Sequence, residues 1–215
     1  MKTKPFLTVG LLTRRLVSLR VSSWRENQLS QTPENTATDE ELIVQVGQGD
    51  IRAFEMLVSR YQKQALRAAQ RFTGDAHEAE DLAQEAFLKV FRQADQYKPQ
   101  TALFKTWFFT ILLNLCRNAV KKKRPDYFGS APKDIPNFND PAGQLDRQER
   151  QRSLTRAILN LPENQRLAFI LCHYENFSYA ESANAMNLSV KAVESLLVRA
   201  RRSLRQELEP LRKKN

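Results

Sequence analysis

The side chains able to do chemistry in this 215-residue chain are suited to holding polyanions rather than to breaking bonds. It contains no Gly-rich phosphate loop with Lys, no His-Glu-x-x-His and no Cys-x-x-Cys. Cys172-His173 would need distant partners to complete a metal site, and Cys116 and His77 each stand alone. The strongest pattern lies between Ser178 and Arg205. Ser178-Tyr-Ala-Glu181 is a capping box that starts a helix, and Asn187 suits the positive-φ turn that ends it. Ser189 can cap a second helix. Ala183 falls where two helices of a helix-turn-helix cross closely, and Val193, Met186, Leu188 and Leu196 supply its core. Ser182 departs from the pattern, since an aliphatic residue is usual there. On the second helix Lys191, Glu194 and Ser195 project near the start, where base edges are read. Arg199, Arg201, Arg202 and Arg205 follow as a phosphate-holding extension.

Charge is distributed in the same sense. The formal net charge is +10, yet residues 39–97 hold seven basic against eleven acidic side chains. Residues 98–124 hold seven basic and no acidic ones, and 199–215 hold seven basic and two acidic. Two basic blocks beside an acidic one suggest a polyanion touched at two places and a different partner elsewhere.

The elements that must position these residues are helices. Ile51, Phe54, Leu57, Val58, Tyr61, Ala65, Leu66 and Ala69 recur at three-and-four spacing, as do Ala79, Leu82, Ala83, Ala86, Phe87, Val90, Phe91 and Ala94. Gly74-Asp75 turns the chain between them, and residues 102–120 form a third, more apolar helix. Residues 125–152 carry Pro125, Pro132, Pro136 and Pro141 and read as a linker. The expected architecture is all-α. It has a basic N-terminal extension over 1–38, a helical domain over 39–124, the linker, and a helix-turn-helix domain over 153–215 in which Pro162 suits a helix N1 position. Two distant cysteines fit a reducing cytoplasm, and no apolar run approaches the roughly 20 residues that span a bilayer. The stretch from Phe6 to Val21 is interrupted by Arg14, Arg15 and Arg20 and lacks a nearby cleavage site.

Several strings, in order, resemble bacterial RNA polymerase sigma factors of the extracytoplasmic-function group. These are Gly49-Asp50 with Ala53-Phe54, then Ala79-Glu-Asp-Leu-Ala-Gln-Glu-Ala-Phe87, then Phe104-Lys-Thr-Trp107 with Asn114. In the second domain they are Leu161-Pro-Glu-Asn-Gln-Arg166, Phe177-Ser-Tyr-Ala-Glu181 and Ser189-Val-Lys-Ala-Val-Glu-Ser195. The resemblance runs from about Asp39 to Arg212.

The resemblance implies a dissociable subunit that binds core polymerase and reads two promoter elements, with no cofactor, no small-molecule substrate and no catalysis of its own. Asp81, Leu82, Gln84, Glu85 and Phe87 would dock on the clamp helices of the β′ subunit, and the β subunit would be a further partner. Tyr97, Lys98, Lys105, Trp107, Asn114, Lys121, Lys122, Lys123 and Arg124 would open and read the minus-ten element, with aromatic platforms and a basic track offsetting lost base stacking. Trp107 shares a helix with Phe108 and Ile111 and is equally well suited to the core. Thr110 stands where the family often has Arg. Ser189, Lys191, Ala192, Glu194, Ser195, Arg199, Arg201 and Arg202 would read the minus-thirty-five element. Glu194 and Leu196 replace residues that are basic in many relatives; Glu194 would either accept from a cytosine amino group or serve only solubility. The linker, notably 134–140, would thread the polymerase's RNA channel. An anti-sigma protein, membrane-bound in some relatives, would hold the protein inactive between its two domains until a stress signal arrives. A competing expectation is a freestanding helix-turn-helix regulator whose N-terminal helices dimerise or bind a ligand.

Overall fold

The computed structural model describes residues 37–122 and 144–212, with the side chains of 144–150 and 210–212 left aside. All regular structure among these residues is helical: α1 Asp39–Gly47, α2 Ile51–Thr73, α3 Ala76–Gln93, α4 Phe104–Lys122, α5 Gln144–Asn160, α6 Glu163–His173, α7 Tyr179–Met186 and α8 Val190–Arg212, with a 3₁₀ turn at Ala94–Gln96. The two-domain all-α class expected from the sequence is what forms. The expected extension at 1–36 and the linker at 125–143, including the 134–140 stretch, lie outside the described residues. Helix α5 starts at Gln144, inside the stretch read as linker.

Each helix begins and ends for local reasons. Thr38 and Glu41 form a reciprocal capping box on α1. The Asp50 carboxylate accepts from the Arg52 and Ala53 amides at 2.8 and 3.2 Å, and Asp75 accepts from Glu78 at 3.0 Å. Gly74 ends α2 at φ 78°, a left-handed conformation that an L side chain adopts at a cost. Its bareness has a second use: a Cβ there would lie 2.9 Å from Leu159 of α5. Pro162 stands at the N-cap of α6 rather than at N1, one residue earlier than expected. Having no amide hydrogen, it suits either place.

The core runs without a break from α1 to α8. Phe54, Phe72, Phe104, Phe108 and Phe109 are fully buried in the first domain. Leu167, Ile170 and Leu171 of α6 join the same cluster with Ala183, Met186, Val193 and Leu197 of the helix-turn-helix. A smaller cluster of Ala157, Ile158, Leu161, Ala200 and Leu204 fastens α5 to α8. The two domains therefore pack directly on each other.

Candidate nucleic-acid interface

The helix-turn-helix forms as its sequence dictates. Ser178 and Glu181 satisfy each other's amides at 3.1 and 2.7 Å, Asn187 closes α7 at φ 53°, and Ser189 accepts from Ala192 at 3.2 Å to cap α8. The capping box lowers the pKa of Glu181, through its hydrogen bonds to Ser178. Ser182 is fully buried, and its hydroxyl meets the Cys172 thiol at 3.1 Å. The pair explains the departure from an aliphatic residue: a buried hydroxyl is tolerated where it has a partner. Leu188 corrects an expectation. It is exposed, whereas Leu197 is buried in the core with Ala183, Met186 and Val193, and Leu196 is only half-buried.

On α8 the side chains at positions 190, 191, 194, 195, 198, 199, 201 and 202 are exposed along its first four turns. Lys191, Glu194 and Ser195 are thus presented as expected, together with Arg199, Arg201 and Arg202. Ser189 is exposed but committed to its cap, and Ala192 is half-buried. Arg201 also approaches His173 Nε2 at 3.4 Å. The sequence reading missed Val198. At 64% exposure it is the barest large apolar side chain among the described residues, at three-and-four spacing from Glu194 and Ser195. Its apolar type concealed it among core positions.

In the first domain the expected residues separate into available and committed ones. Lys98, Asn114, Lys121 and Lys122 are exposed; Lys123 and Arg124 lie outside the described residues. Trp107, Ile111, Asn114, Asn118 and Lys121 follow one another at three-and-four spacing on α4 and form one stripe. Trp107 is half-buried, its ring 5.2 Å from Tyr97 and 6.2 Å from Phe104, so it serves the core on one side and remains accessible on the other. Tyr97 is a correction: it is 8% exposed and donates its hydroxyl to the Ala102 carbonyl at 2.8 Å, so its ring is no free stacking platform. Thr110 bonds back to the Thr106 carbonyl at 2.8 Å and offers no charge.

Lys105 points at the second domain. Its ammonium donates to the Glu175 carbonyl at 2.7 Å and lies 4.6 Å from the centre of the Phe177 ring. Phe177 in turn packs edge-on against Phe109 at 5.3 Å. Beside it the buried Glu175 carboxylate meets Arg71 at 3.5 Å, and Arg71 covers the Tyr174 ring at 4.0 Å. Burial raises the pKa of Glu175, against the opposing pull of Arg71 and Lys105. Arg166 donates to the Phe72 carbonyl at 2.6 Å, and Arg117 pairs with Glu163 at 3.1 Å. None of these cross-domain pairs carries a sequence signature.

The acidic helix α3 presents Asp81 and Glu85 to solvent with Gln84 half-exposed beside them. Leu82 and Phe87, expected on the docking face, are buried at 7% and 2%. They fall on the inward stripe, where Phe87 meets Phe54 and Phe108. The available face is therefore acidic and polar. Among the described residues no cluster of His, Cys, Asp and Glu could hold a metal, and no helix is long and apolar enough to cross a membrane.

Comparison with known proteins identifies both domains. Residues 57–125 match the family model Sigma-70 region 2, and residues 151–204 match Sigma-70, region 4. The chain is 33% identical over 184 residues to the RNA polymerase sigma-H factor of Pseudomonas aeruginosa, a match spanning 80% of this chain and 95% of that protein. It is 32% identical over 188 residues to the ECF RNA polymerase sigma-E factor of Escherichia coli K12, spanning 81% and 96%. Among solved structures, that of CnrH in complex with the cytosolic domain of CnrY aligns at a TM-score of 0.63 and 26% identity, over 80% of this chain and 97% of that one. With both domains matched in order and nearly the full length of these relatives covered, the chain belongs to the extracytoplasmic-function group of sigma-70 family RNA polymerase sigma factors.

Proposed function

We propose that this sigma factor docks on the β′ clamp helices through Asp81, Gln84 and Glu85. In the same reading it opens and reads the minus-ten element with the loop and stripe from Lys98 to Lys122, and reads the minus-thirty-five element with α8. The observation that carries this is the separation of charge. An acidic face on α3 would repel DNA and suits a basic protein surface, whereas α4 and α8 offer lysines, arginines and an asparagine to a polyanion. Val198 adds an apolar contact suited to a thymine methyl in the major groove. The protein carries out no reaction of its own, because the polymerase supplies the chemistry. It works in the cytoplasm, and an anti-sigma protein is its expected inhibitor.

The packing of the two domains bears on this mechanism. The two promoter elements lie about 25 base pairs apart, on the order of 85 Å along the duplex. Domains joined by Lys105–Glu175 and Phe109–Phe177 contacts cannot reach both at once. The closed form is thus the resting one, and Lys105 must leave Glu175 before it can meet DNA. Mixing the chain with core polymerase and promoter fragments tests the reading: a stable holoenzyme and a run-off transcript are expected. Duplex DNA binding by the free chain without either would favour the regulator alternative.

A further inference from the structure

The loop that leads into α4 is tied at both ends by groups that make no contact with DNA in the reading above. Helix α4 starts at Phe104, and the Trp107 amide already donates to the Leu103 carbonyl at 3.1 Å, which puts Leu103 at the N-cap. Leucine has no acceptor to offer at a position where Ser, Thr, Asp or Asn is preferred. The acceptor comes from another helix. The Glu40 carboxylate on α1 accepts from the Phe104 amide at 2.9 Å, across 64 residues of sequence. An anion there also faces the positive end of the α4 dipole.

Tyr97 ties the other end. Its hydroxyl spans the turn to the Ala102 carbonyl, and the Thr101 amide and hydroxyl both reach the Lys98 carbonyl, at 3.0 and 2.8 Å. Burial, with Glu40 and Asp39 adding to it, pushes the Tyr97 hydroxyl up to about 12, so it keeps the proton that it donates. Helix α1 is itself anchored, since Arg60 and Tyr61 of α2 both bond the Asp39 carboxylate. Lys98, Pro99, Gln100, Thr101 and Leu103 are left exposed on a backbone fixed from two sides.

We propose that Glu40 and Tyr97 are positioning residues for minus-ten reading: Glu40 caps α4 from α1, Tyr97 clasps the turn, and together they preset the shape of the 98–103 loop. This rests on the assignment of the Lys98–Asn114 surface to the minus-ten element. Preset backbone geometry favours the matching base over others, because a fixed loop cannot reshape itself around a mismatched base whereas a loosened one can.

The test uses holoenzyme reconstituted with the full chain and promoters carrying single substitutions in the minus-ten element. Its readout is the ratio of opening rates for the preferred and substituted bases. Glu40→Ala is expected to lower that discrimination about fivefold, the size of a lost helix cap. Glu40→Gln, whose amide oxygen still accepts, should stay within about twofold of the parent. Tyr97→Phe should lower it about threefold, one neutral hydrogen bond's share. Affinity for core polymerase should be unchanged in all three. Parental discrimination in Glu40→Ala and Tyr97→Phe, or a loss in Glu40→Gln equal to that in Glu40→Ala, would overturn the proposal. Should Glu40→Ala fail to fold by circular dichroism, Tyr97→Phe, which lacks one oxygen atom, decides alone. Asn114→Ala separates the two levels. If it flattens discrimination and the other variants do not, positioning alone is refuted; if none of the variants matters, the minus-ten assignment falls with it.

Discussion

Replacing Arg71 by Met should open the resting protein, and the cross-domain geometry sets the size of the effect. The guanidinium lies 3.5 Å from the Glu175 carboxylate, whose side chain is 4% exposed, while that of Arg71 is 28% exposed. Two unit charges at that distance attract by about 5 kcal/mol at an effective dielectric of 20, an upper bound. Solvent regained by the partly exposed arginine reduces this to about 2 kcal/mol, counting the buried carboxylate left with Lys105 as its main counter-charge. The closed-to-open ratio should then fall roughly 30-fold. Fluorescence energy transfer between dyes carried on non-natural residues at the exposed positions Gln64 and Gln206 would read the change. Glu175→Gln should act oppositely. Because burial raises the Glu175 pKa, the closed form binds a proton more tightly than the open form. Closing is therefore most favoured below the ordinary carboxylate range and weakens as pH rises through the raised value. Neutralising Glu175 removes that penalty, so the double variant should close more firmly than Arg71→Met alone. The same transfer efficiency in parent and Arg71→Met, with no coupling to Glu175→Gln, would refute the reasoning.

Three further outcomes are expected. Glu85→Lys should keep the fold, since its exposed pair with Lys89 at 3.9 Å is worth little, yet lose at least about tenfold in affinity for core polymerase by titration. Val198→Ala should lower discrimination at one minus-thirty-five position about fivefold while leaving minus-ten opening unchanged in footprinting. Ser178→Ala should destabilise the second domain by about 1 kcal/mol through loss of the capping box, visible as a lower thermal midpoint.

What the sequence shows about this molecule is what local rules encode. The helix-turn-helix is legible because Ser178, Glu181, Asn187 and Ser189 each satisfy a neighbour within a few residues. The helix stripes are legible because burial repeats at a helical period, as Ala79 to Ala94 illustrate. Leu82 and Phe87 belong to the motif string that points to the docking face, yet their place on the stripe puts them in the core. Tyr97 carried an aromatic signal for stacking, whereas its hydroxyl partner is a backbone carbonyl, which no residue type announces. Glu40 reaches Phe104 across 64 residues, and Lys105 reaches Glu175 across 70. Pairings of that length have no periodicity to read, so the cap on α4 and the closed arrangement emerge only in three dimensions.

Permanganate probing of unpaired thymines in a promoter bound by the reconstituted holoenzyme tests the central claim most directly. The account predicts reactive thymines confined to the minus-ten region with the parent protein, sharply reduced by Asn114→Ala while minus-thirty-five protection persists. A bound promoter with no reactive thymines, or reactivity unchanged by Asn114→Ala, would contradict it.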